Sequence, residues 1–214
     1  LIECQLKILH TRFMFPLVYH VLPQREAIIY EDKVVSVTSF PLKHHYEAPV
    51  CGFLFREKKR ERTIRKDMTT AWNVPIAFMQ YLKKGADFIT PDGEIIANAR
   101  LTVAPPPSRS YAYMTDTLFR ERFAGYVQGV DLLYHEATYS KEDQKLAKDS
   151  FHSTAEQAAC IAQLAKVRKL LLGHFSARYP DPVCLLPEAR AIFPETYICH
   201  DGEVYDVPAI KRNI

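Results

Sequence analysis

The sequence predicts a layered α/β fold, and three observations predict it. The first quarter is a run of short strands without helices between them. From Ser110 onward, strand and helix patterns alternate. Histidine or aspartate stands at the carboxyl ends of several predicted strands, where α/β sheets gather their ligands.

The elements follow in order. "FPLVYHVLP" and "EAIIYEDK" are rich in β-branched and aromatic residues and are split at Pro23, which predicts two strands. In "KVVSVTSFPL", Val35, Val37 and Ser39 alternate with Val34, Ser36 and Thr38, the pattern of a half-buried strand stopping at Pro41. "VCGFLFREK" reads as another. The run "REKKRERTIRK", Arg56 to Lys66, then carries seven basic and two acidic residues. "DFITPDGEIIAN" predicts a hairpin turning at Asp92-Gly93, and "APPPSR" breaks the chain. Residues 56–108 are therefore expected to form an arm inserted in the fold.

"SYAYMTD" and "VDLLYHEAT" are strands ending in Asp116 and in His135-Glu136. "HSTAEQAACIAQLAKV" is a helix with an apolar face at Ala158, Ile161, Ala162 and Ala165, its capping box assigned to Ser153 and Glu156. The strand "KLLLGH", the helix "CLLPEARAIF" and closing strands "TYICHD" and "EVYDV" complete the pattern.

Composition narrows the function classes only a little. With 48% hydrophobic residues in 214, the chain has enough for one sizeable core or two small ones. A net charge of +3 neither requires nor excludes a polyanion. The cysteines at 4, 51, 160, 184 and 199 form no CxxC pair, which favours a reduced, cytoplasmic setting over a disulfide framework. No apolar run approaches the ~20 residues of a membrane span, and "LIECQLKILH" has no signal-peptide form. It opens without methionine, as though inside an element, so that either the amino terminus is processed or the sequence is expected to be part of a longer polypeptide.

Strand ends bearing His44 ("PLKHH"), Asp116, His135-Glu136 and His174 offer nitrogen and carboxylate donors suited to zinc, and a carboxylate can bridge two ions. One such histidine is ordinarily just a polar terminus; Asp116 can cap a turn, and His152 can merely precede a helix cap. Four ends together make a metal site worth considering.

"DLLYHEATY", "FHSTAEQAACIAQLAKVRKLLLGHFSARY" and "EARAIFPETYICHDG", in this order, closely resemble ribonuclease Z, the tRNA 3′-processing endonucleases of the metallo-β-lactamase superfamily. "SFPLKHHYEAPVCGFLFREK" and "YMTDT" resemble further segments of that family, so the similarity runs from about Leu17 to Val207. The resemblance implies an αββα sandwich, two zinc ions per complete active site, precursor tRNA as substrate and a homodimer. It implies His44, Asp116 and His174 as metal ligands, with Asp116 bridging. His152 matches the catalytic histidine, which steadies the scissile phosphate or protonates the leaving oxygen, and Glu136 orients its neighbours. Arg178 would meet a phosphate or form a salt bridge. Lys58, Lys59 and Arg60 begin the region where the family carries its tRNA-gripping arm, although Glu57 and Glu61 are interspersed.

The family's H-x-H-x-D-H motif is not in these 214 residues. The fold is accordingly expected to be a partial metallo-β-lactamase domain over 1–214, incomplete on its amino-terminal side, and this chain alone is expected not to cut RNA. Thr115 replaces the glycine of the family's "GDT" turn, and Gly173 replaces its usual threonine. Two other readings remain: another phosphodiesterase of the same superfamily, and a non-catalytic half that binds RNA or dimerises.

Overall fold

A computed structural model describes residues 2–45 and 49–207. A short helix, α1 (Ile2–Ile8), leads into a segment without regular structure. The strand expected over "FPLVYHVLP" does not form: residues 15–23 are mostly exposed and pair with no sheet. Their apolar side chains lack a partner surface among the described residues, and β propensity without a ladder does not make a strand.

Strands β1 (Ala27–Glu31), β2 (Val35–Pro41) and β3 (Cys51–Glu57) are antiparallel. The excursion after β3 holds β4 (Thr63–Ile64), α2 (Lys66–Ala71), α3 (Met79–Lys83), β5 (Phe88–Ile89), β6 (Ile95–Ile96), α4 (Asn98–Leu101) and β7 (Thr102–Val103). The β5–β6 turn is built as expected, with Gly93 at φ 85° donating its N–H to the Thr90 carbonyl. The chain returns through β8 (Ser110–Met114), β9 (Leu132–Glu136), α5 (Gln144–Asp149), α6 (Ala155–Leu164), β10 (Lys169–Gly173), α7 (Leu186–Ile192) and β11 (Thr196–Ile198). The "EVYDV" strand is absent, residues 203–207 being irregular.

Seven strands make one mixed sheet in the order β1-β2-β3-β8-β9-β10-β11, antiparallel as far as β8 and parallel from β8 to β11. Period-2 alternation decides which side chains face the helices. Ala112 and Met114, Leu133, and Leu170 and Leu172 pack with Ala158, Ile161 and Ala162 of α6 and Ala189 of α7 into the main core. The small residues of α6 allow that helix to lie close on the strands.

The opposite face carries Phe55, Tyr111, Tyr113, Leu132, Tyr134 and Leu171. Phe55 stacks on Tyr111 and Tyr113 on Tyr134. This face borders an open groove of about 860 Å³.

Helix α6 begins as expected, but one residue later. Thr154 is the N-cap, accepting from Gln157 N, while the Gln157 side chain accepts from Thr154 N at 3.0 Å. Ser153 instead donates its hydroxyl to the Thr117 carbonyl at 2.6 Å. The sequence "HSTAEQ" offers two overlapping boxes, and burial of Ser153 selects the second.

The excursion has its own small core of Val74, Leu82, Phe88, Ile96 and Leu101. Buried Asn98 ties it together, donating Nδ2 to the carbonyls of Leu82 (2.8 Å) and Ala86 (2.7 Å). At its base, Arg109 donates its guanidinium to Glu57 Oε1 at 2.6 Å and its N–H to Oε2 at 2.9 Å.

Candidate metal centre and catalytic site

The parallel strands β8, β9 and β10 all end at the same edge of the sheet, and the chemistry collects there. Beyond β8 the chain turns sharply: Asp116 has φ 47°, while Thr115, where the resemblance leads one to expect glycine, is not left-handed. The strain falls on an aspartate, a residue that tolerates that region. The turn is clamped from three sides. Thr117 N donates to Glu136 Oε1 at 2.7 Å, Ser153 Oγ to the Thr117 carbonyl, and Leu118 N to the Lys43 carbonyl at 2.6 Å.

After β10, His174 also has φ 58°, as does Phe151 at 60° just before His152. Sparsely populated backbone at three positions around one cluster marks a site held in place by its surroundings.

Donor atoms of Asp116, His152 and His174 lie within 4.8 Å of one another. His174 Nε2 is 3.0 Å from Asp116 Oδ1. The ring of His152 stacks on that of His174 with centroids 5.2 Å apart, and the His44 ring lies 4.8 Å from that of His152. Exposure grades across the group: the Glu136 side chain is 0% exposed, His152 14%, Asp116 38% and His174 43%. The site thus has a dry back wall and a wet front.

The back wall is a hydrogen-bond network centred on Glu136. Its carboxylate accepts from Thr117 N, from His152 Nδ1 at 2.9 Å and from Thr138 Oγ1 at 2.6 Å. Burial alone would push this carboxyl up, but the bonds from His152 and Thr138 outweigh it and hold it below its ordinary value. His152 responds in the opposite sense. Burial lowers it, and the stronger influence of Glu136 raises it above an ordinary imidazole.

Because Thr138 gives its hydroxyl proton to Glu136, Thr138 Oγ1 accepts from His174 Nδ1–H at 2.9 Å. The His174 ring then presents a bare Nε2 to Asp116 Oδ1. Two acceptors at 3.0 Å need a cation or a proton between them, so the donor set fits a metal ion. His44 is prepared in the same way: its Nδ1–H donates to the Phe151 carbonyl at 3.1 Å, leaving Nε2 free.

The sequence-predicted residues divide into two groups. His44, Asp116, Glu136, His152 and His174 converge. His135, adjacent to Glu136 in the same motif, does not. Strand alternation turns it into the helix-side core, where Nδ1 bonds the Glu136 carbonyl at 2.7 Å and burial lowers its pKa. Arg178 pairs with Asp143 at 3.6 Å. Lys58 pairs with Glu31 at 3.0 Å and Arg60 lies 3.8 Å from Glu57; Lys59 is exposed. These three follow β3, whose Arg56 is opposite Ser110 at the start of β8. They therefore sit at the other end of the sheet from Asp116, roughly 15–20 Å away at 3.3 Å per residue. Thr138 went unrecognised in the sequence although it completes the "HEAT" run, two residues after Glu136.

No protein-family model matches the chain. Among curated proteins, the chain is 46% identical to ribonuclease Z of Bacteroides thetaiotaomicron over 185 residues, 86% of this chain and 58% of that protein. It is 48% identical to ribonuclease Z of Parabacteroides distasonis over 180 residues, 84% of this chain and 59% of that protein. The chain spans about three-fifths of the length of these relatives. Among solved structures, the human short-form tRNase Z superposes with TM-score 0.57 at 20% identity, covering 97% of this chain and 63% of that one. A metallo-β-lactamase fold protein from Bacillus subtilis, YhfI, gives 0.54 at 14% identity, covering 86% and 54%. Over the matched residues, this chain is similar to proteins named ribonuclease Z, and its fold is the metallo-β-lactamase fold.

Proposed function

We propose that the chain carries the carboxyl-terminal part of the active site of a zinc-dependent endoribonuclease that removes 3′ trailers from precursor tRNA. The observation that carries this is the meeting of Asp116, His152 and His174 donor atoms at one sheet edge, in a chain 46–48% identical to proteins named ribonuclease Z.

Asp116, His174 and His44 would hold the metal, Asp116 bridging two ions. A divalent cation bound there supplies Lewis acidity toward a phosphodiester. The chain's own residues do the rest. Glu136 fixes the His152 ring through Nδ1 and favours its protonated form, so that Nε2 gives its proton to the departing 3′ oxygen of the tRNA as water adds to phosphorus. Thr138 holds His174 with Nε2 turned to the metal side.

Residues 56–108 are proposed as the arm that grips the tRNA body. Lys58, Lys59 and Arg60 stand far from the cluster, a placement suited to a remote phosphate contact rather than to the scissile one. The five free cysteines favour a reduced, cytoplasmic setting. A homodimer is part of the same reading.

The donors described here are fewer than a two-metal centre takes. The 214 residues alone are therefore proposed to leave precursor tRNA intact, whereas a protein that also carries H-x-H-x-D-H cleaves it. End-labelled precursor tRNA incubated with the longer protein tests this. Trailer release should stop with chelator, return with zinc, and fall at least a hundredfold in H152A. Release indifferent to both chelator and H152A would refute the reading.

A further inference from the structure

Beside the metal-ligand cluster lies a second cavity of about 440 Å³, lined by Leu118, Phe119, Gln144, Lys145, Lys148, His152 and Gln157. His152 is the wall the two share. We infer that this cavity is a subsite for one nucleotide of single-stranded RNA next to the scissile bond, its phosphate held by Lys145 and Lys148 and its base laid on Leu118 and Phe119. The inference rests on the endonuclease reading for its substrate but on separate residues for its chemistry.

Charge is the first argument. Lys145 and Lys148 are three apart on α5 and so lie on one face, about 5–6 Å between their Cβ atoms. Both are exposed, and neither has an ion pair among the described residues. No carboxylate lines the cavity. Of the nearby acids, Asp143 is paired with Tyr179 and Arg178 and Glu156 with Lys141 at 2.6 Å, while Glu142 and Asp149 are exposed and do not line the cavity. Two unneutralised cations next to a phosphodiester-cleaving site are the sequence-independent part of RNA recognition.

Donor geometry is the second. Gln157 spends its amide oxygen on the α6 capping box, accepting from Thr154 N. Its NH2 group is thereby fixed as a donor in the cavity wall, at the first turn of α6, where the helix dipole also favours an anion. Shape is the third. Phe119 is half-buried against the main core, so its ring is held rigid while Leu118 beside it stays part-exposed. A rigid apolar floor next to paired cations is the arrangement on which proteins stack an unpaired base.

The test measures binding of fluorescein-labelled tetracytidylate RNA to the protein by anisotropy at several salt concentrations. In K145Q/K148Q, affinity at low salt should fall about tenfold, and the slope of log K against log salt should shrink by about 0.7, the share of one single-strand phosphate. F119L should weaken binding about fivefold with the slope unchanged. Both lysines are exposed, so their replacement leaves the fold intact, which far-UV dichroism verifies. An unchanged slope in K145Q/K148Q, or no binding by the parent protein, overturns the subsite. Lysine-dependent binding without trailer cleavage by the longer protein would retain the subsite and discard the endonuclease reading. Trailer cleavage with the same KM in K145Q/K148Q would do the reverse.

Discussion

Thr138 Oγ1 lies 2.9 Å from His174 Nδ1 and 2.6 Å from Glu136 Oε2, so a single hydroxyl joins the buried carboxylate to an imidazole at the solvent edge. The same oxygen is 3.3 Å from His152 Nδ1. Backbone alternation puts Glu136 at the end of β9, and the two residues that follow carry the chain to β10's edge, where Ser176 N donates to the Thr138 carbonyl at 3.1 Å. The hydroxyl is therefore placed by the sheet and not by a flexible loop.

Replacing this threonine should loosen metal binding without unfolding the protein. In T138V, the Glu136 carboxylate loses one donor and His174 loses the acceptor that fixes its ring. Zinc affinity, read by competition with a chromophoric chelator, should drop about 10–100-fold. T138S, which keeps the hydroxyl, should recover most of it. Equal affinity in T138V and the parent would show that the hydroxyl has no orienting role.

Glu57 and Arg109 supply the clearest pH dependence. The Arg109 guanidinium, then the Arg109 N–H, hold the Glu57 carboxyl at about 2 against an ordinary value of 4.5. A depressed pKa contributes stability that is full above 4.5 and is lost as pH falls through about 2. The Arg109 side chain is 46% exposed, so the contribution is reduced by solvent screening. In urea titrations, E57Q should fall below the parent at pH 6 and converge on it near pH 2. A difference that stays constant from pH 6 to pH 2 would mean that the charge is not what holds the pair.

Most of the sheet was legible in the sequence because its strands carry clean alternation and defined ends. β2, β3, β8, β9 and β10 all form where the pattern puts them. The failures have physical causes. "FPLVYHVLP" and "EVYDV" have strand composition but no neighbouring strand with which to share hydrogen bonds. In the site, residue types pointed to His44, Asp116 and His174 and the resemblance pointed to His152, and these four meet. Residue types pointed equally to His135, and only the phase of β9 tells it from Glu136. Arg178 and Lys58 have acidic partners brought close by tertiary contacts that no local pattern announces.

Asn98 should control the excursion after β3 as a unit. Its amide caps the Leu82 and Ala86 carbonyls, its N–H takes Asp87 Oδ1 at 2.7 Å, and its Oδ1 accepts from Thr102 at 2.7 Å. In N98A, each buried carbonyl left without its donor costs about 1–3 kcal/mol. Hydrogen exchange should accelerate over residues 63–103 and stay slow in β8–β10, because the excursion has a separate core. Uniform acceleration across both would show that the two cores unfold together.

Two glycines of the sheet, on β3 and β10, make different predictions. A Cβ on Gly52 would meet Phe40 ring carbons at 2.4 and 2.5 Å and the Tyr113 backbone oxygen at 2.9 Å. Phe40 is 1% exposed and stacked on Tyr126, and the Tyr113 oxygen belongs to the adjoining strand, so neither can retreat. G52A should cost about 1–3 kcal/mol. A Cβ on Gly173 would come within 2.3 Å of the Tyr134 hydroxyl and 2.6 Å of its ring, a side chain bordering the open groove. Tyr134 can swing outward there, so G173A should cost at most about 1 kcal/mol, near the average for a point substitution. Thermal melts of both variants, with Y134A/G173T as the compensated pair, decide it. G173A melting as low as G52A would mean that Tyr134 is pinned and the sheet face is not free to adjust.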